Sequence, residues 1–483
     1  MTMSFERRDV DGFFIGGAMR PASSTGRVDV VHPANEEIVG SVPKSTADDM
    51  AAATAAARQA FDEGPWPHTP PEERAEMLSA IADGLEKRID ELAWLSTAQN
   101  GMPITLARQS QGLELLRFYA DAAKDVPWEE RRQGLSGSGL VRRTPVGVAG
   151  LIVPWNAPSL LMNKLPAALM AGCTTVVKPS PETPLDTYVL AEVLQDVGLP
   201  PGVVNIVAGD AVVGQDLVDD PAIDKISFTG STEAGRKIMA RLANRIGRVS
   251  LELGGKSASI LLDDAPLEAA LPITMAGSCL NNGQACIALS RVLAPRSRYD
   301  EVVEILAAMV GSLPVGDPFD ESTFVGPVLN AKQRDRALSY IEIGRSEGAR
   351  VVTGGGTVLD RDKGFWVQPT VLADVRNDMR VAQEEIFAAV IAVIPYDGGD
   401  EAAVAMANDS PYGLSGAVWS ADPQRALEVA RRVRTGTITV NGFNYDVGLP
   451  FGGFKQSGIG REWGLEGLEA YLEYQTINLP ESS

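Results

Sequence analysis

Five short runs rich in apolar and β-branched residues, VGVAGLIVPW, CTTVVKPS, VVNIVAG, AIDKISFTG and VSLELGG, recur between residues 146 and 262. Helix-length stretches such as LDTYVLAEVLQDVG and STEAGRKIMARLANRIG separate them. That alternation predicts a parallel sheet wound by helices, an α/β fold. Ligands of such sheets bind beyond the carboxyl ends of the strands, so the residues that close each run are the first candidates for a site.

At 483 residues the chain is long enough for two or more domains. Residues 267–440 repeat the α/β texture: RVLAP, ARVVTGG and AVIAVIPY read as strands, Ala402–Asn408 and Gln424–Arg434 as helices. Leu78, Ile81, Leu85, Ile89, Leu92 and Leu95 recur at spacings of three and four, which predicts one long amphipathic helix from Glu72 to Ala98, closed near Gly101 and Pro103. RRQGLSGSGLVRR, residues 131–143, reads as a turn or hairpin standing off the core. The tail, GLEGLEAYLEYQTINL, passes from helix into an apolar strand that needs a partner edge.

A formal net charge of -20 repels phosphate backbones and anionic lipid surfaces, so neither nucleic acid nor membrane is expected as a partner. Two uncharged runs, Thr144–Asn163 and Leu271–Ser290, are long enough for membrane spans, but Pro145, Pro154 and Pro158 in one and Asn281, Asn282 and Gln284 in the other favour buried strands and site loops. Three cysteines, Cys173, Cys279 and Cys286, fit a reducing compartment, and the N-terminus carries no apolar signal region, so a cytoplasmic protein is expected.

Only His32 and His68 offer imidazoles, both far in sequence from the cysteines, which disfavours Cys/His or Ser/His catalysis. No cysteine or histidine cluster has metal-ligand spacing, and no metal is expected. GxGxxG and GxxxxGK[ST] are both missing. In their place ISFTGSTEAGRKI ends a strand at Phe228 and starts a helix near Ser231 or Thr232, so Gly230 and the free N–H groups of the first turn can face a pyrophosphate. Ser231 either caps that helix or binds a phosphate. Lys178, closing TTVVKPS, either anchors ribose hydroxyls or is a solvated strand end. Glu252 stands in an apolar strand, as a general base or as a strand-end ion-pair partner. Cys286, in NNGQACIALSR, has small and amide neighbours, and is either inert packing or a nucleophile whose oxyanion a distant amide such as Asn156 would hold.

Taken in order, Pro154-Trp155-Asn156, Lys178-Pro179-Ser180, Phe228-Thr229-Gly230-Ser231, Leu251-Glu252-Leu253-Gly254-Gly255-Lys256, Gly283-Gln284-Ala285-Cys286, Glu385-Ile386-Phe387 and Pro450-Phe451-Gly452-Gly453 have the order and approximate spacing of the aldehyde dehydrogenase superfamily. Each motif alone is weak, but seven in order are specific, and the chain resembles that family over nearly its whole length. The resemblance implies a Rossmann-like parallel-sheet cofactor domain (1–125 and 145–253), an α/β catalytic domain (254–447) and a small oligomerisation β-element (126–144 and 470–483), in a homodimer or homotetramer. It implies NAD(P)-dependent oxidation of an aliphatic, aromatic or terpenoid aldehyde to the acid through a thiohemiacetal and thioester on Cys286, with Asn156 and the Cys286 N–H as oxyanion donors, Glu252 activating water and Lys164 in a proton relay. It places Lys178, Ser180, Glu182 and Ser231 along the ribose and phosphates, Glu385 on the nicotinamide ribose, Phe387 beside the nicotinamide, and Trp155, Gly230 and Leu253 along the cofactor path.

Two departures from the family pattern matter. Where many NAD-using relatives carry a glutamate three residues after the lysine, this chain has Pro181, with Glu182 the nearest acid; NAD is expected and NADP remains open. Beside the nucleophile, Cys279, Leu280 and Ile287 stand where relatives often have aromatics, which favours an aliphatic or terpenoid aldehyde; Asn444 and Tyr445 come from a distant loop. Three other readings compete. A coenzyme A-acylating or acyl-reducing relative often lacks the base that Glu252 supplies, a catalytically silent member would lose Cys286, Glu252 or Asn156, and a cysteine hydrolase would need no nicotinamide.

Overall fold

The structure is a computed structural model that describes residues 7–358 and 361–480. The five predicted runs form consecutive parallel strands of an eight-stranded sheet in the order Arg248–Glu252, Lys225–Thr229, Val148–Ile152, Thr174–Lys178, Val204–Ile206. Val148–Ile152 and Thr174–Lys178 are buried at every residue, as strands covered on both faces must be. The chain starts at Val148–Ile152, steps outward through Thr174–Lys178 and Val204–Ile206, then returns to the opposite side with Lys225–Thr229. Strand order therefore reverses between Val148–Ile152 and Lys225–Thr229, and the crevice beyond Ile152 and Thr229 is the place where such a sheet holds a ligand. Gly12–Ile15 and Ala18–Pro21 extend one edge antiparallel, and Gly458–Ile459 closes the other against Arg248–Glu252.

A seven-stranded sheet follows, in the order Arg350–Thr353, Thr370–Ala373, Val390–Tyr396, Arg291–Pro295, Ala258–Leu261, Gly416–Trp419, Thr439–Val440. All its pairings are parallel except that of Arg350–Thr353 with Thr370–Ala373. Five residues, 253–257, join Arg248–Glu252 of one sheet to Ala258–Leu261 of the other. Glu252 thus stands at the junction of the two sheets.

The hairpin and the tail meet. Glu129–Gln133, Ser138–Pro145 and Leu472–Asn478 make a third, antiparallel sheet, in which Tyr474 faces Arg143 and the guanidinium lies 5.0 Å from the ring centroid. Beyond Leu472 and Glu473 the tail strand is exposed, with Tyr474 52% and Ile477 38% accessible.

One expectation is corrected. Glu72–Ala98 is not a single helix but two, Pro71–Glu86 and Ile89–Asn100, broken at Lys87 and Arg88, where Arg88 leaves helical geometry at φ -114 and ψ 17. The apolar spacing runs through the break because Leu78, Ile81, Leu85, Leu92 and Leu95 all pack into one core, so periodicity alone cannot reveal the change of direction. Among the described residues no helix is long and apolar enough to cross a membrane.

Candidate active site

The carboxyl ends of the first sheet place four of the quoted motifs side by side. After Ile152 the chain turns through Trp155, whose carbonyl accepts from Asn100 Nδ2 at 3.0 Å and Thr183 Oγ1 at 3.1 Å. The Trp155 ring meets Phe387 edge-on, with centroids 5.3 Å apart at 88°. Phe387 holds φ at +68°, a region that bulky residues enter only under constraint. That constraint comes in part from Arg336, whose guanidinium donates to the carbonyls of Glu385 and Ile386.

Lys178 is not a solvated strand end. It is buried, donates to the Gly209 carbonyl at 2.5 Å, and burial lowers its ammonium to about 8. Ser180 donates its hydroxyl to the Glu182 carboxylate. Ser231 does cap the helix Thr232–Ala243, its oxygen accepting from the Ala234 N–H at 3.2 Å, which leaves the hydroxyl proton free to donate. Gly230 N–H bonds the Glu252 carbonyl at 3.0 Å, tying the turn before the Thr232–Ala243 helix to the strand that ends at Glu252. Leu253 packs where a side chain at Gly235 would collide with it, so it supports that helix from below.

The cysteine turn is built from its amides. Asn281, Asn282 and Gly283 take φ of +48°, +61° and +77°, three consecutive left-handed residues, which asparagine tolerates better than other side chains and glycine freely. A Cβ at Gly283 would lie 2.0 Å from the Ala388 carbonyl carbon, so the turn sits flush on the chain just after Phe387. Asn282 accepts from the Gly326 N–H at 2.6 Å and donates to the Gly101 and Pro327 carbonyls at 2.9 and 2.8 Å. Gln284 Oε1 accepts from the Leu329 N–H at 2.8 Å. Asn156 Nδ2 donates to the Gln284 carbonyl at 3.0 Å, and Asn281 donates to the Asn156 carbonyl at 2.6 Å. The residue expected to hold an oxyanion is therefore clasped to the turn carrying Cys286, and its carboxamide keeps a second N–H.

Cys286 is the partly exposed cysteine; Cys173 and Cys279 are buried. Burial, then the carboxylates of Glu385 and Glu252, push its thiol up to about 12. At rest it is a neutral thiol that needs a base. Glu252, 3% exposed, has neither carboxyl oxygen hydrogen-bonded. Burial and the negative charge of Glu462 raise it well above the usual carboxylate range, against the pull of Lys164 and Arg461. Lys164 is fully buried and ion-pairs with Glu462, with Ser227 Oγ 3.3 Å from its ammonium. Glu385 accepts from the Gly255 N–H at 3.0 Å, and burial raises it to about 6. A Cβ at Gly254 would lie 2.7 Å from Glu385 Oε2, so only glycine leaves that carboxylate its place.

Sequence reasoning missed Glu462, and of one aromatic cluster it named Tyr445 and Phe451 but not Phe443 and Trp463. Glu462, in GREWG, carries no local pattern that separates it from a surface acid. The rings of Phe443, Tyr445, Phe451 and Trp463 form a chain of contacts with centroids 4.8 to 6.2 Å apart. Tyr445 donates to or accepts from Ser415, and burial raises its phenol above the usual range. A repeated aromatic signal in NGFNYDVGLPF was available, but it pointed to no partner.

A model of the aldehyde dehydrogenase family matches residues 20–477. Geranial dehydrogenase of Castellaniella defragrans is 49% identical over 98% of this chain and 99% of its own length. A putative aldehyde dehydrogenase, DhaS, of Bacillus subtilis is 41% identical over 96% and 94%. Among solved structures, Mycobacterium tuberculosis aldehyde dehydrogenase complexed with NAD+ superposes with a TM-score of 0.97 at 46% identity, covering 99% of this chain and 100% of that one. A mutant of Pseudomonas syringae aldehyde dehydrogenase C, complexed with NAD+ and octanal, gives 0.94 at 39% identity over 97% and 96%.

Proposed function

The chain belongs to the aldehyde dehydrogenase family, and from that premise we propose that it oxidises an apolar aldehyde, aliphatic or terpenoid, to the carboxylic acid with NAD as the hydride acceptor. The observation that carries this reading is the clasp of the Asn156 amide to the Cys286 turn, with the unpartnered Glu252 carboxyl at the junction of the sheets.

The residues fit a dinucleotide. Gly254 leaves the space a Cβ would fill beside Glu385, Lys178 is held buried at a strand end, and Gly230 precedes a helix N-terminus. Lys178, Ser180 and Glu182 would hold the adenine ribose, Ser231 and the helix N–H groups the pyrophosphate, and Glu385 the nicotinamide ribose, with Trp155, Gly230, Leu253 and Phe387 along the path. The Glu182 carboxylate, already bonded by Ser180, suits a ribose hydroxyl and repels a 2′-phosphate, which favours NAD over NADP. When bound, the nicotinamide supplies the hydride acceptor.

Cys286 attacks the carbonyl as a thiolate, its proton having passed to bulk water on the partly exposed side of the turn, so that Glu252 is still ionised for the later step. The second Asn156 N–H and the Cys286 backbone N–H hold the oxyanion. Loss of hydride leaves a thioester on Cys286. Glu252 then takes a proton from water, which attacks the thioester and frees the acid, and the Lys164–Glu462 pair carries that proton away. The aromatic wall of Tyr445, Phe451 and Trp463 suits an apolar chain, as does the relation to geranial dehydrogenase.

The chain divides into a cofactor domain (1–125 and 145–253), a catalytic domain (254–447) and the small third sheet. The exposed tail strand pairs copies into a dimer or tetramer, and light scattering on the eluting protein should give a multiple of the 51.3 kDa chain mass. Three unpaired thiols suit the reducing cytoplasm. Purified protein with NAD and geranial or octanal should generate the absorbance of reduced nicotinamide, and Cys286→Ser should abolish it. A panel of aldehydes that yields no reduction with NAD or NADP would overturn the proposal.

A further inference from the structure

Away from the cysteine, three buried polar side chains that line one small cavity have no hydrogen-bond partner: Lys256 Nζ, Ser257 Oγ and Thr435 Oγ1. Lys256 is 2% exposed, Ser257 3% and Thr435 8%. The cavity has room for about one water-sized group. Its wall also includes Arg291, 2% exposed, whose guanidinium donates to the carbonyls of Lys256, Met406 and Ala407 and to the Asn377 amide oxygen, none of them an anion. Among the described residues neither cation forms an ion pair. Glu385 and Glu384 act on Lys256, and Asp409 on Arg291, only across longer distances. No carboxylate lines the cavity.

An ammonium taken out of water with no countercharge is among the costliest arrangements a fold can hold, and here a second cation stands beside it. We infer that this cavity is a binding site for a small monovalent anion of chloride size, held by Lys256 Nζ and the hydroxyls of Ser257 and Thr435. All three groups can donate, and the anion supplies the missing charge as well as the missing acceptor. A water would satisfy the hydroxyls and leave the charge. The same occupant keeps Lys256 protonated, where burial and then the Arg291 charge lower it to about 7. The site lies one residue beyond Gly255, whose N–H holds Glu385, so the anion steadies the segment on which that carboxylate rests.

The test uses the full chain in chloride-free buffer. Crystals soaked in sodium bromide should show an anomalous bromine peak at hydrogen-bond distance from Lys256 Nζ and Ser257 Oγ. Surface bromides elsewhere with only a water in the cavity would overturn the site. In solution, replacing gluconate by bromide at constant ionic strength should raise the unfolding temperature of the wild type more than that of Lys256→Met. Ser257→Ala/Thr435→Val serves as the second variant, since it keeps the lysine and perturbs folding least. Equal shifts in wild type and the double variant would also overturn the inference.

Discussion

Glu252 and Glu385 are both buried carboxyls near one cysteine, yet their surroundings are opposite, as the proposed tasks of proton transfer and ribose binding would require. Glu385 is given a backbone N–H, a neighbouring Arg336 and Lys256, and glycine clearance, and burial raises it only to about 6. Glu252 is given no donor at all, and burial with the charge of Glu462 raises it well above the usual carboxylate range. A carboxyl that binds must stay charged in one place. A carboxyl that moves protons must be able to exist in both states, and a buried setting without donors withdraws the stabilisation that would otherwise hold it in the charged one.

This contrast can be broken most severely at Glu252. Glu252→Gln should lower steady turnover by about 10²–10⁴-fold while a single burst of reduced nicotinamide survives and the thioester accumulates, visible by intact mass. Unchanged turnover would remove it from the base role. Asn156→Ala comes next: loss of one oxyanion donor should cost about 10²–10³-fold in kcat, with the burst itself slowed, unlike Glu252→Gln. Glu385→Gln should act on binding, raising KM for NAD by roughly tenfold, the scale of one charged hydrogen bond. Its pH signature sharpens the distinction. Below about pH 6 the wild-type Glu385 carries a proton and loses an acceptor for the ribose, so KM for NAD should fall as pH rises through about 6. In Glu385→Gln that dependence should vanish; a dependence that persists would move the titration to another group.

The placement of the candidate residues was legible in the sequence where they lie at the end of a local element. Lys178, Gly230 and Glu252 close or follow strands, and apolar runs ending in Lys-Pro-Ser, Gly-Ser or Glu-Leu-Gly-Gly announce that position. The hairpin and the tail also announced unmet pairing, and they met each other. What stayed hidden depends on separation. Lys164 and Glu462 pair across 298 residues, and nothing near either predicts the other. Arg336 reaches Glu385 from a helix whose own spacing speaks only of packing. Asn281 and Asn282 read in the sequence as polar residues unsuited to a membrane, while their actual service is to adopt left-handed backbone and fasten it with their amides. Side-chain composition gave their presence, and only the fold gave their use.

The flush seating of Gly283 on Ala388 sets where this enzyme can change and where it cannot. Any side chain at position 283 would drive into the backbone, and Asn282 is pinned at three points, so the turn that carries Cys286 tolerates almost no drift. Tyr445 and Trp463 meet each other and Phe451 through their rings, and Tyr445 also meets Phe443 and bonds Ser415. Exchange of side chains can therefore be absorbed at those rings, where contacts are made by side chains, and is refused at the turn that carries Cys286, where they are made by backbone.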